Sequence, residues 1–243
     1  MSLIKNILAK FGYQIVRRQK NLESVNKNRA ENFPRYYKEA EDLGEDVNDY
    51  INRNVGNPHE LLEKVVFPYL PSDARVIIEV GPGTGRFSRA FIDRIKTNPH
   101  WKLYLLDHSQ WIITFLTGYF EKYDNVYPIL NDGLHVPEID SNCADLIFSN
   151  GVFIELNLSR FYTYCNDSYK VLKPGGLVIF NYIDLEFDQA WEHMKKFSEN
   201  PRFSFSYFTS NVIDKVFLER GFKLLSRALV GNSTYVVYQK PVL

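Results

Sequence analysis

Apolar residues recur along this chain in two rhythms. Val76–Val80, Trp101–Leu106, Val126–Leu130, Ala144–Ser149 and Leu177–Tyr182 are short, almost unbroken apolar runs. That is the form of central parallel strands, buried on both faces. Between them the spacing turns helical, over Phe87–Ile95, from an N-cap at Ser109 to about Lys122, and over residues 158–172. Lys173-Pro174-Gly175-Gly176 stops the last of these. Further on, Asn211–Arg220 reads as a helix ended by Gly221. Phe222–Val230 and Thr234–Gln239 read as strands joined by Gly231-Asn232-Ser233. The alternation predicts an α/β fold with a seven-stranded, mostly parallel sheet and one antiparallel strand.

Two segments depart from this alternation. Residues 1–60 form a helical N-terminal extension ahead of the main domain, residues 61–243. Phe33, Tyr36 and Tyr37 lead its second half, and Asn57-Pro58 opens a helix carrying Leu61, Leu62, Val65 and Val66. Residues 183–208 interrupt the domain as an insertion with a helix near Asp188–Phe197. Extension and insertion, rich in Tyr, Phe and Trp191, are expected to form a lid over whatever the sheet binds.

Charge changes the picture only at the N-terminus. The 243 residues carry 29 basic and 29 acidic side chains, so no overall field attracts nucleic acid. Residues 1–30 nevertheless hold seven basic residues against Glu23, and residues 31–50 hold seven acidic against two basic. Leu3, Ile4, Ile7, Leu8 and Phe11 fall at helical spacing. Residues 1–20 thus read as a basic amphipathic helix that packs on its own domain or on a second subunit of a homo-oligomer. The other use is a weak contact with an anionic membrane surface. Two cysteines, Cys143 and Cys165, suit neither a disulfide framework nor a zinc site, and point to a cytoplasmic, reducing compartment. No metal is expected.

The chemistry gathers at the strand ends. Glu79-Val80-Gly81-Pro82-Gly83-Thr84-Gly85 closes the first strand with an acid and a glycine-rich turn that lets a ligand approach main-chain N–H groups. The later strands end at Asp107-His108, Asn131-Asp132-Gly133, Ser149-Asn150-Gly151 and Asn181-Tyr182. Parallel sheets bind ligands along that edge. Asp107, 22 residues after Gly85, is placed to accept hydrogen bonds from both hydroxyls of a ribose. Asp132 is placed to meet an adenine amino group, or else to serve an ordinary Asn-Asp-Gly turn.

Taken in order, the segments 76–87, 103–109, 130–133, 144–156 and 169–182 resemble the class I S-adenosylmethionine-dependent methyltransferases, whose first motif is Asp/Glu-x-Gly-x-Gly-x-Gly. The resemblance covers about residues 60–240 and implies a Rossmann-like, doubly wound sheet with S-adenosyl-L-methionine as cofactor. It implies that Gly81, Pro82, Gly83, Thr84 and Gly85 pass under the cofactor, and that Glu79 orders the loop or faces the amino group. Asp107 would hold the ribose, His108 flank the adenine, Asp132 and Gly133 meet the adenine, and Asn150 help hold the methionine part. An NAD fingerprint needs a glycine at position 86, where this chain has Arg.

Where many small-molecule members carry a His after the fourth strand, this chain has Glu155, a carboxylate able to act as base. Tyr182 and Asp184 are further catalytic candidates after the fifth strand. The expected activity is methyl transfer to a small-molecule acceptor, first a hydroxyl of a sugar or glycan precursor. An amine acceptor and a non-catalytic cofactor-binding partner subunit are the alternatives.

Overall fold

The computed structural model describes residues 32–137, 139–198 and 205–242. The amphipathic segment expected over residues 1–20 lies outside them. Three helices open the described chain, α1 (Asn32–Asp42), α2 (Val47–Val55) and α3 (Pro58–Val65). The sequence pattern did not separate α2, although its boundaries are chemically marked. Asp46 caps it by accepting from the Asn48 and Asp49 N–H groups, and Gly56 ends it.

The alternating region then follows as β1 (Val76–Val80), α4 (Arg86–Ile95), β2 (Lys102–Asp107), α5 (Gln110–Tyr119), β3 (Val126–Leu130) and β4 (Ala144–Ser149). After a 3-10 turn at Phe153–Glu155 come α6 (Leu158–Val171), β5 (Leu172–Asp184), α7 (Asp188–Ser198), β6 (Tyr207–Phe208), α8 (Ser210–Arg220), β7 (Lys223–Val230) and β8 (Ser233–Gln239). The sheet order is β3-β2-β1-β4-β5-β8-β7, with the two-residue β6 beside the end of β5. Strands β1 to β5 are parallel, while β8 runs antiparallel to both β5 and β7. Strand order reverses between β1 and β4, which opens a crevice at their carboxyl ends.

The Lys173–Gly176 segment ends α6 as expected but lies inside β5. Leu172 pairs with Ala144 and the ladder resumes with Leu177 opposite Leu146, so the segment bulges out between them. Among the described residues the β3–β4 connection contains no helix.

The two sheet faces have separate cores. On one, Ile77, Leu103, Phe148, Ile179 and Val237 pack with Leu62 of α3, Phe91 of α4 and Leu116 of α5. On the other, Ile78, Ile147, Phe180 and Val236 pack with Phe161 of α6 and Phe217 of α8. Phe148 touches both Phe91 and Phe87, with ring centroids 5.1 and 5.3 Å apart. Such aromatic pairs each contribute about 0.5–1.5 kcal/mol beyond buried area, and here they set the N-terminus of α4 above the end of β4.

Helix α2 is pinned to this frame by polar contacts. Arg86 Nε donates to Asn52 Oδ1 at 2.9 Å, and Arg89 Nη1 pairs with Asp46 and Asp49 at 2.7 and 2.9 Å. Tyr119 of α5 donates to the other oxygen of Asp46 at 2.8 Å. Among the described residues no helix is long and apolar enough to cross a membrane.

Candidate active site

The strand ends meet in one row. The Gly81 N–H bonds the Leu106 carbonyl at 2.8 Å, the Asn131 N–H bonds the Asp107 carbonyl at 2.9 Å, and Ser149 Oγ bonds the Val80 carbonyl at 2.9 Å. Gly81 lies at φ 70° directly against Val152, where a Cβ would stand 2.1 Å from Val152 Cγ2. Gly133, also at positive φ, closes on His108, whose Cβ would be 3.3 Å from a side chain there. Asp107, His108, Gly133, the glycine turn and Asn150 therefore share the carboxyl edge of the sheet.

The turn itself is open toward that edge. Gly85 bonds back to the Pro82 carbonyl at 2.9 Å, while the N–H groups of Gly83 and Thr84 have no acceptor among the described residues. They lead into the first turn of α4, whose own N–H groups face the same way. Thr84 is buried and its Oγ1 has no partner among the described residues.

Glu79 is not turned outward. It is 2% exposed and accepts a 2.6 Å hydrogen bond from Ser88 Oγ on α4. Burial pushes its carboxyl up to about 7, against the Ser88 bond that favours the ionised form. Asp107 stands at the end of β2 with Oδ1 taking the Ser109 N–H at 2.8 Å. Its burial raises the carboxyl above the ordinary range, with the Ser109 N–H and the neighbouring His108 opposing. Asp132 turns into its own loop and accepts from the Leu134 and His135 N–H groups at 2.8 and 2.9 Å. Slight burial works against those bonds, but they hold its carboxyl below the usual range.

Two expected catalytic groups are buried. Tyr182 and Asp184 are 0% and 1% exposed. Asp184 Oδ2 accepts from the Tyr182 hydroxyl at 3.0 Å and from Ser210 Oγ at 2.6 Å, while Oδ1 accepts from the Glu186 N–H at 3.1 Å. This network ties β5 to the start of α8. Their side chains share the β5 face that packs on α8, a placement that follows from the alternation of the strand. Glu155, by contrast, lies half-buried in the 3-10 turn just past β4.

Two residues that bracket the site, Asn48 and Tyr235, escaped the sequence reading, and a third, Asn181, was read only as a strand end. Asn48 of α2 bonds the Thr84 carbonyl. Asn181 accepts the Gly151 N–H at 2.7 Å and donates to Ser233 Oγ at 3.2 Å. Tyr235 of β8 donates to Asn150 Oδ1. Asn181 alone carried a signal, its place at the end of β5.

A family model for a methyltransferase domain matches residues 71–221. The chain belongs to the class I S-adenosylmethionine-dependent methyltransferase family. A curated relative, the malonyl-[acyl-carrier protein] O-methyltransferase of Marinomonas sp. (strain MWYL1), is 28% identical over 135 residues, 54% of this chain. The match spans 48% of that relative, about half its length. Among solved structures, a chain of the complex between the Haloferax volcanii Trm112 methyltransferase activator and its methyltransferase superposes with TM-score 0.61 at 14% identity, covering 80% of this chain and 93% of that one. A Methanosarcina mazei S-adenosylmethionine-dependent methyltransferase gives 0.59 at 11% identity, over 73% and 97%. These two likenesses concern the fold.

The residues present fit the family's cofactor. The open N–H groups at Gly83 and Thr84 suit a polar amino-acid end, and the Asp107 carboxylate at the next strand end suits vicinal hydroxyls. Among the described residues no group of three or more His, Cys, Asp or Glu side chains is arranged to hold a metal ion.

Proposed function

We propose that this methyltransferase-family chain catalyses methyl transfer to an oxygen of a small acceptor, with a sugar or glycan-precursor hydroxyl as the acceptor class. The observation that carries the reading is the single row formed by the open glycine turn, Asp107 and Asn150 at the β1/β4 crevice. When bound, S-adenosylmethionine would supply a sulfonium methyl open to in-line attack: the methyl bonds to the acceptor oxygen as its bond to sulfur breaks, and the sulfur is left as a neutral thioether.

The chain's own residues do the rest. The Gly83 and Thr84 N–H groups and Asp107 bind and orient the two ends of the cofactor, while Glu79 and Ser88 stiffen the turn from beneath. Glu155, past the end of β4, takes the proton released by the acceptor hydroxyl. Oxygen is favoured because the curated relative is named an O-methyltransferase. A sugar is favoured because Trp191 of α7 is 47% exposed, an aromatic face on a helix whose first turn carries the acidic Asp188.

The test is production of S-adenosylhomocysteine across sugar nucleotides, glycans, amines and malonyl thioesters. Turnover with a sugar hydroxyl, lost in Glu155→Gln, is the expected result. Turnover confined to amines or malonyl thioesters would remove the sugar assignment, and micromolar NAD binding without S-adenosylmethionine binding would remove the whole reading.

A further inference from the structure

Asn150 has two hydrogen-bonding edges, and the structure uses only one. Its Oδ1 accepts from the Tyr235 hydroxyl, whereas its Nδ2 makes no hydrogen bond among the described residues. The residue is half-buried at the crevice where strand order reverses, next to Gly151 and Val152, which rests on Gly81.

Tyr235 reaches it from two strands away. β8 pairs antiparallel with β5, placing Tyr235 opposite Asn181, and the phenol passes across β5 to the end of β4. Its ring is 6% exposed, in the same core cluster as Phe87 and Phe148. Such a buried ring can place its hydroxyl in few positions. Burial also raises its pKa, so the group remains a protonated donor at ordinary pH. Beneath it, Asn181 holds the Gly151 N–H and is itself held by Ser233.

An amide can turn over about its terminal bond and exchange its donor and acceptor edges. Here the Tyr235 hydroxyl donates to Oδ1, which leaves the Asn150 NH2 group directed the other way. We propose that Tyr235 is a positioning residue that turns the Asn150 amide nitrogen toward the cofactor crevice. The donor edge then selects the carboxylate of the cofactor's amino-acid part and disfavours its ammonium. This inference rests on the cofactor reading above and deepens it.

The test compares two ligands by calorimetric titration. S-adenosylhomocysteine carries the amino-acid part, and methylthioadenosine lacks it. Tyr235→Phe keeps the ring and removes the hydroxyl. It should weaken S-adenosylhomocysteine roughly 5- to 30-fold while leaving methylthioadenosine within about twofold. Asn150→Asp, which replaces the donor edge with a carboxylate, should discriminate in the same direction and serves if Tyr235→Phe does not fold. Equal weakening of both ligands, or no change in either, overturns the proposal, since a merely structural role has no reason to distinguish them. Wild-type protein that binds neither ligand would instead overturn the cofactor reading, and this inference with it.

Discussion

Asn48 Nδ2 donates to the carbonyl of Thr84 at 2.7 Å, joining α2 to the centre of the glycine turn across 36 positions of sequence. Asn48 is fully buried, so the bond is shielded from competing water. The helical extension is therefore attached to the glycine turn and not only to the helices around it.

Asn48→Ala should leave the buried Thr84 carbonyl without its side-chain partner and destabilise the fold by about 1–3 kcal/mol. Urea unfolding measures that loss directly. Because the bond restrains the turn, S-adenosylhomocysteine affinity should fall as well. Unchanged stability and unchanged affinity together would show that the turn holds its shape without α2.

Asp107→Ala should weaken cofactor binding by roughly 1.5–3 kcal/mol if its carboxylate makes charged hydrogen bonds to ribose hydroxyls. The loss should be similar for S-adenosylhomocysteine and methylthioadenosine, since both carry the ribose. That pattern separates this position from Asn150 in the same titrations.

Glu79 makes stability depend on pH. Burial raises its folded-state pKa from 4.5 to about 7, so folding favours the protonated form. Its contribution is fully present below about pH 4.5 and is lost as pH rises through about 7. The difference corresponds to roughly 3 kcal/mol. Glu79→Gln should flatten the stability profile between pH 5 and 8, as followed by thermal melts. A wild-type profile that already rises across that range for lack of any such term would refute the assignment.

Tyr182→Phe removes the hydroxyl that bonds Asp184 and Ser210 inside the buried network. Stability should fall by about 1–2 kcal/mol, as for a lost buried hydrogen bond. Turnover per folded molecule should remain within about twofold of wild type. A hundredfold loss of turnover with unchanged stability would return Tyr182 to the catalytic set.

The local part of this design was legible in the residues. Five apolar runs and the segments between them announced parallel strands and crossover helices, because burial on both faces demands continuous apolar sequence. Gly81, Gly83, Gly85 and Asp107 stood out since backbone approach and strand-end placement depend on short-range position. For Tyr182 and Asp184 the place at the end of the fifth strand was visible, but the face each side chain takes depends on α8 packing there. Helix α2 was not separated from its neighbours because its apolar stripe is short, and it holds on through Arg86 and Arg89 of α4.

The sequence by itself determined the strand–helix alternation, the glycine turn and the acidic strand ends, since each follows from neighbouring residues and backbone stereochemistry. Only the tertiary structure decided that Asn48 grips Thr84, that Ser88 covers Glu79, and that Tyr235 reaches Asn150 across 85 positions. Those pairings arise when sheet order brings distant strands and helices together, and no local periodicity records which polar atoms will then be buried face to face.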